Sequence, residues 1–406
     1  MGATRQPRHE QGRSLTRILY ITDSLIAGGI ESQLVELIQR LDRDHFEPHV
    51  LTFYKMPTHS PHFLPQLRDL GVPVTTLDLS WGARDKLAAT RQIIAETWRL
   101  RPQIVQAENY HANLLTRAAR PLMPPATKLV GTHRGVYTPH QLRYEKLEHR
   151  FCDAIVASAG HLRRQLIEQA GVPADRVVVI PNSIDVERFS GAAARGATLR
   201  AKLAPGARRV LVSVGRVSDQ KRMHLIGEAL GMLKREGCVL ADTRIYIVGQ
   251  SQNQQYQQLL DDAIAQNGLQ DILIHRPVTD APEVYFAASD ASILYSIVEG
   301  LPVVALESLA AGKPVLLSEE ANASEVIEEG VTGWTAPTHD LAAFARRLRM
   351  VIEAPAETLA AMAPACQAQA AQFSAATLAR RYMAFYDALL AASPATRGQA
   401  LAEATR

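Results

Sequence analysis

A chain of 406 residues, 47% hydrophobic and 21% charged, is long enough for two domains and two buried cores. No apolar run reaches the roughly 18–20 residues that a membrane-spanning helix needs. The three cysteines, Cys152, Cys238 and Cys366, are too widely spaced for a zinc motif or a disulfide framework, so buried thiols of a cytoplasmic protein are expected. The formal net charge of +3 hides a modest excess of Lys and Arg before residue 190 and a slight acidic excess after it. Such a balance is compatible with ordinary scatter, with an acidic acceptor, or with peripheral contact with an anionic membrane. No nucleic-acid partner is expected.

In chain order, residues 1–16 are polar and basic without the hydrophobic segment of a secretory signal, which predicts a disordered tail. Short β-branched apolar runs then recur at 17–22, 49–54, 72–79, 104–107, 128–133, 154–158 and 176–182. A second series lies at 208–215, 244–249, 271–278, 291–296 and 313–318. Continuous apolar strands separated by amphipathic helical patterns predict parallel sheets covered on both faces. The class is therefore α/β, with two Rossmann-like, doubly wound domains at 17–190 and 208–373. Residues 191–207 gather Gly, Ala and Arg and predict a linker beside a cleft. A last strong helix over 374–393 is started by Ser374 as N-cap, and 394–406 is predicted to be a frayed tail.

Ligands of doubly wound sheets bind where strands end and helices begin. In "ITDSLIAGGIESQ" the pair Gly28 and Gly29 precedes a helix, which suits either a phosphate approached by backbone or a plain tight turn. In "VSVGRVSDQKRM" a strand ends at Gly215 and is followed by Arg216, Lys221 and Arg222. That is either a clamp for a diphosphate, combining a planar fork with a mobile point charge, or a solvated basic loop. In "VEGLPVVALESLAAGKPV" Glu299 falls in a strand-to-helix loop, Pro302 opens the helix and Gly312 closes it. Glu307 lies on a helix apolar nearly all round, so its carboxylate needs either ligand hydroxyls or an internal Arg. His133 closes a strand in "VGTHRGVY", a place open to both structural and functional histidines.

The pair Glu299 and Glu307 resembles the E-x7-E motif of retaining GT-B glycosyltransferases of family 4 (glycosyl transferases group 1). The resemblance covers roughly residues 17–393 and includes "GGIE", "VIPNSIDVERF", "VGRVSDQKR", "SIVEGLPVVALESLAAGKPV" and "SEVIEEGVTGW", in the family's order. It implies two Rossmann-like domains facing across a cleft, with the final helix crossing back to the first domain. A nucleotide-diphosphate sugar would be held mainly by the second domain, and a glycan or lipid-linked acceptor by the first. Arg216 and Lys221 would neutralise the departing diphosphate, with no metal or other cofactor required. Glu299 would face the sugar and Glu307 the ribose, with Gly300, Leu301, Pro302 and Val303 beside the donor. Gly28 and Gly29 would approach the diphosphate from the opposite domain, and His133 matches a family histidine beside the transferred sugar. The setting implied is bacterial surface polysaccharide or glycolipid synthesis, in the cytoplasm or at the inner face of the membrane. Ser183, Ser251 and Arg276 stand where the family has glycine, and the last two leave the base open. The alternatives are a nucleotide-sugar epimerase on the same fold and a non-catalytic sugar-nucleotide-binding partner.

Overall fold

The computed structural model describes residues 15–26, 28–54, 63–79, 83–393 and 395–405. Seven parallel strands form the first sheet: β1 (Thr16–Thr22), β2 (Phe46–Tyr54), β3 (Val74–Leu79), β4 (Ile104–Ala107), β5 (Lys128–His133), β6 (Ala154–Ala157) and β7 (Val177–Val179), in the order β3-β2-β1-β4-β5-β6-β7. Six parallel strands form the second: β8 (Arg209–Val214), β9 (Thr243–Val248), β10 (Leu273–Arg276), β11 (Ala291–Leu294), β12 (Val315–Ser318) and β13 (Gly333–Ala336), in the order β10-β9-β8-β11-β12-β13. The central strands are buried on both faces, which is why they read as unbroken apolar runs.

Each sheet separates two apolar cores, one under the helices of each face. Strand order reverses between β1 and β4 in the first domain and between β8 and β11 in the second. A crevice opens at the carboxyl ends of strands that part company in this way. The loops leaving these four strands carry Gly28 and Gly29, Glu108, Gly215 to Lys221, and Glu299.

The helix Ala375–Ala391 starts at Ser374, whose hydroxyl accepts a hydrogen bond from the Thr377 amide. Leu378, Tyr382, Phe385, Tyr386 and Leu389 lie on one stripe of it and are buried in a core of the first domain, so the helix does cross back. Tyr386 bonds Gln106 at 2.8 Å and meets the Tyr20 hydroxyl at 3.1 Å.

Three boundaries differ from the sequence expectation. The predicted linker 191–207 is mostly a helix, Ala193–Leu203, packed on the helix Pro282–Ala288. Its Gly196 is a contact point, since a Cβ there would lie 2.5 Å from that of Ala287. The predicted tail contains the helix Arg397–Ala404, anchored by the fully buried Leu401 and by Arg397 3.0 Å from Asp153. The predicted disordered tail 1–16 lies outside the described residues up to position 14, and Thr16 already belongs to β1.

Candidate active site

The second-domain wall is built by two loops that hold each other. After β8 the backbone turns at Gly215 with φ +138°, and Gly249 after β9 turns with φ +155°. A Cβ on Gly249 would sit 2.0 Å from the Gly215 carbonyl oxygen, so the two turns touch only because that side chain is missing. The loop after β8 is bonded to the loop after β11: the Ile297 amide donates to the Gln220 carbonyl at 2.9 Å, and the Gln220 side chain donates to the Val298 carbonyl at 2.8 Å. This cross-link brings Lys221 to Glu299, with Nζ 2.7 Å from Oε1. Both side chains are largely buried.

Arg216, by contrast, is exposed and makes no hydrogen bond or ion pair with another described residue. Arg222, the third cation of that loop, serves the fold. It lies over the Tyr295 ring at 4.5 Å and donates to the Tyr295 and Thr338 carbonyls.

The helix carrying Glu307 runs Val303–Ala310, with Pro302 as its N-cap rather than its first residue, and the chain leaves it through Gly312 at φ +73°. No side chain caps the amides at its start, leaving donors and a positive dipole end beside Gly300 and Leu301. Glu307 is half-buried and has no side-chain partner among the described residues. The candidate internal partner, Arg188, is taken by Glu283 at 2.9 Å. Burial pushes the Glu307 carboxyl up to about 7, against the pull of Arg188 and Lys221.

The first-domain wall differs. Gly28 is the extended N-cap and Gly29 the first residue of the helix Gly29–Arg40, again without a side-chain cap. The Glu31 carboxylate folds back toward this start, since a Cβ on Gly28 would be 2.7 Å from its Oε2. Burial pushes Glu31 up to about 7, with Asp23 adding to the rise and Arg216 opposing it. The place read as a phosphate approach is thus lined by a carboxylate of the chain's own.

His133 ends β5 with its ring buried, edge-on to Tyr137 at 4.1 Å, and Nε2 3.2 Å from the Gln165 amide oxygen. Burial drives its pKa down to about 3, so it is neutral. Beside it Arg134 pairs with Glu108 at 2.9 Å, and the Arg134 carbonyl touches the Glu299–Leu301 loop: a Cβ on Gly300 would be 2.2 Å from that oxygen.

The structure therefore brings Gly215, Lys221, Glu299, Gly300, Leu301, Pro302 and Val303 together, with Arg216 and Glu307 open beside them. It puts His133 behind the wall, next to the loop rather than in the open. Sequence reasoning passed over Glu31, Glu108, Arg134 and Asn182, although Glu108 and Arg134 each directly follow a strand. Among the described residues, no three His, Cys, Asp or Glu side chains converge as metal ligands. No helix there is long and apolar enough to cross a membrane.

A family model described as glycosyl transferases group 1 matches residues 196–369, and one described as glycosyltransferase family 4 matches residues 27–188. A putative colanic acid biosynthesis glycosyltransferase, WcaL of Salmonella typhimurium, is 30% identical over 190 residues, 45% of this chain and 43% of that protein. A D-inositol 3-phosphate glycosyltransferase of Thermobispora bispora is 30% identical over 243 residues, 58% of this chain and 56% of the relative. The chain spans about half the length of these curated relatives. Among solved structures, HepE of Anabaena in complex with UDP and glucose superposes with a TM-score of 0.79 at 22% identity, over 91% of this chain and 98% of that one. A glycosyltransferase of Rickettsia africae gives 0.78 at 19% identity, over 94% and 100%. These likenesses show the expected fold of two Rossmann-like domains across a cleft.

Proposed function

We propose that this chain, which belongs to the glycosyltransferases of group 1 and family 4, moves a sugar from a nucleotide-diphosphate sugar to an acceptor hydroxyl with retention of configuration. The observation that carries the reading is the set of open groups on the second-domain wall. Among the described residues Arg216 has no ion-pair partner, Lys221 is held by Glu299 at 2.7 Å, and Glu307 has no side-chain partner. A nucleoside diphosphate gains negative charge as it leaves, and preorganised cations at that point lower the barrier most. Arg216 supplies a planar fork and Lys221 a point charge oriented by Glu299. The uncapped start of the Val303 helix offers amides to the phosphates. Glu307 is set to accept hydrogen bonds from the ribose, and Glu299 faces the sugar. These residues stabilise the leaving group without a metal in the assigned roles.

HepE of Anabaena has been solved with UDP and with UDP-glucose, which supports a uridine nucleotide as donor. The colanic acid relative supports a role in surface polysaccharide synthesis. On the acceptor side, Asp23 and Glu31 stand at a strand end of the first domain, Asp23 3.1 Å from His111, while the Arg134 guanidinium nearby is already matched by the buried Glu108. This favours a neutral, hydroxyl-rich acceptor over the acidic one that the chain's charge balance allowed. Peripheral attachment to an anionic membrane belongs to the same reading. It rests on exposed Trp98, Leu122 and Leu147, with Arg101 and Arg150 close to them along the chain.

The test is a thermal-shift screen against UDP-, GDP-, ADP- and dTDP-sugars, followed by product analysis with oligosaccharide and lipid-linked acceptors. A ligand binding only the folded state at a hundred times its Kd adds about 2.7 kcal/mol of stability. UDP-sugars are expected to raise the melting temperature and to yield a glycosylated product. Sugar isomerisation without an acceptor would instead identify an epimerase, and binding without turnover a non-catalytic partner.

A further inference from the structure

The Arg134 side chain is 4% exposed and that of its partner Glu108 is 0% exposed. Charges taken so far from water are costly unless their bonds are saturated. Here they are saturated by three different parts of the chain. Arg134 Nε and Nη2 donate to Glu108 Oε2 after β4, at 3.1 and 2.9 Å. Nη1 donates to Asn182 Oδ1 at 3.1 Å, in the segment that leads out of the first domain. Nη2 also donates to the Tyr382 hydroxyl at 3.2 Å, on the crossover helix. The second Glu108 oxygen accepts from Gln106 Nε2 at 2.6 Å, and Gln106 accepts from Tyr386 of the same helix at 2.8 Å.

The far side of this network rests on the donor loop. Asn182 Nδ2 donates to the Leu301 carbonyl at 3.3 Å, and the Arg134 carbonyl occupies the space a Gly300 side chain would need. One residue therefore meets a strand end of the first domain, the interdomain segment, the crossover helix and the loop that carries Glu299. Only a guanidinium reaches partners in several directions from a single planar fork; an ammonium on a flexible stem does not.

From this we infer that Arg134 is a positioning residue for transfer: with Asn182 it sets how closely the Glu299–Leu301 loop docks on the first domain, and links that docking to the crossover helix. Its side chain contacts none of Arg216, Lys221, Glu299 and Glu307, the side chains assigned to the donor. Displacing a reacting constellation by about 1 Å is enough to slow chemistry on the order of 100-fold. Of the nucleotide contacts assigned above, Arg216 and Glu307 sit outside the docked loop, in the second domain, whereas the Val303 helix start follows directly from it, so UDP affinity is expected to fall less than kcat.

The inference rests on the glycosyltransferase reading, and the experiment separates the two. Nucleotide Kd, kcat and KM are measured with UDP-glucose, and with any sugar donor found by the screen, for wild type, Arg134→Lys, Asn182→Ala and the double variant. The expected result is a fall in kcat of at least about tenfold in each single variant, with UDP affinity held within about threefold. The double variant should lose little more than the worse single one, because both act through one contact. Unchanged kcat in folded Arg134→Lys and Asn182→Ala overturns the inference. So does an equal loss of kcat and UDP affinity, which marks a merely structural residue. Should Arg134→Lys not fold, Asn182→Ala decides alone, since it leaves the Arg134–Glu108 pair in place and removes the tie to Leu301. A wild type that turns over no donor overturns the glycosyltransferase reading itself, whereas an active wild type with unaffected variants overturns only the role of Arg134.

Discussion

On the second-domain wall Lys221 and Glu299 stand 2.7 Å apart, with Arg216 and Glu307 left open beside them. On the first-domain wall Arg134 and Glu108 are fully matched within the chain, and His133 is neutral behind them. Both walls hold ionisable groups at strand ends, yet among the described residues the unpaired cation, Arg216, belongs to the second. A charged ligand such as a diphosphate gains most where cations are preorganised, as Lys221 is by Glu299, and at Arg216 no internal ion pair has to break before it binds. The matched wall instead holds its shape, which suits docking against the other domain. Glu31 is the exception on the first wall, with its carboxyl near neutrality and facing Arg216.

That contrast breaks most sharply at Lys221. Lys221→Ala removes the buried cation and strands Glu299, and kcat is expected to fall by at least about 100-fold with nucleotide affinity less affected. Steady-state rates compared with calorimetric affinities check this, and wild-type turnover would remove Lys221 from leaving-group stabilisation.

A smaller effect is expected at Glu307. Its folded-state pKa of about 7 lies above the ordinary 4.5, so the folded protein keeps a proton that the unfolded chain has lost between those values. Stability from this group therefore falls as pH rises through that window. Only the ionised form accepts hydroxyl bonds with both oxygens, so UDP affinity should fall several-fold from pH 8 to pH 6. Glu307→Gln should weaken binding about tenfold at pH 8, which is about 1.4 kcal/mol, and flatten the pH dependence. Calorimetry at the two pH values reads both effects, and an unchanged pH dependence in the variant would assign the titration elsewhere.

The smallest effect is expected at His133. With a pKa near 3 it stays neutral throughout the working range, so His133→Gln should leave the shape of the pH–rate profile unchanged and alter kcat by no more than about threefold. Its folded value lies below the ordinary 6.5, so the unfolded chain binds the proton first and stability falls as pH drops from 6.5 toward 3. The variant should flatten that acid limb in thermal melts. A lost limb in the pH–rate profile would instead place the imidazole in the chemistry.

Much of this was legible in the residue order. Strands such as β6 and β12 are buried throughout and almost wholly apolar, so their runs stand out without any knowledge of their neighbours. β13, with the sequence GWTA, was not anticipated. It is an edge strand beside β12, and Gly333 is there because a Cβ would lie 2.2 Å from the Val315 carbonyl. Gly196 misled in the same way: a small residue that permits close helix packing looks, in one dimension, like a linker residue. Leu401 in a polar terminal stretch gave no periodic signal, yet it is fully buried.

The site divides along the same line. By itself the amino-acid sequence determined the α/β class, the two-domain plan, the strand-to-helix loops that carry Arg216, Lys221 and Glu299, and the helix that carries Glu307. These depend on local periodicity and on glycine and proline placement, which act over a few residues. Only the tertiary structure decided which charges are spent. Lys221 and Glu299 are 78 positions apart, and Arg134 and Tyr382 are 248 apart. Whether a cation is matched or open depends on what the folded chain brings within a few ångströms of it, because ion pairing and desolvation are set by distance in space and not by position along the chain.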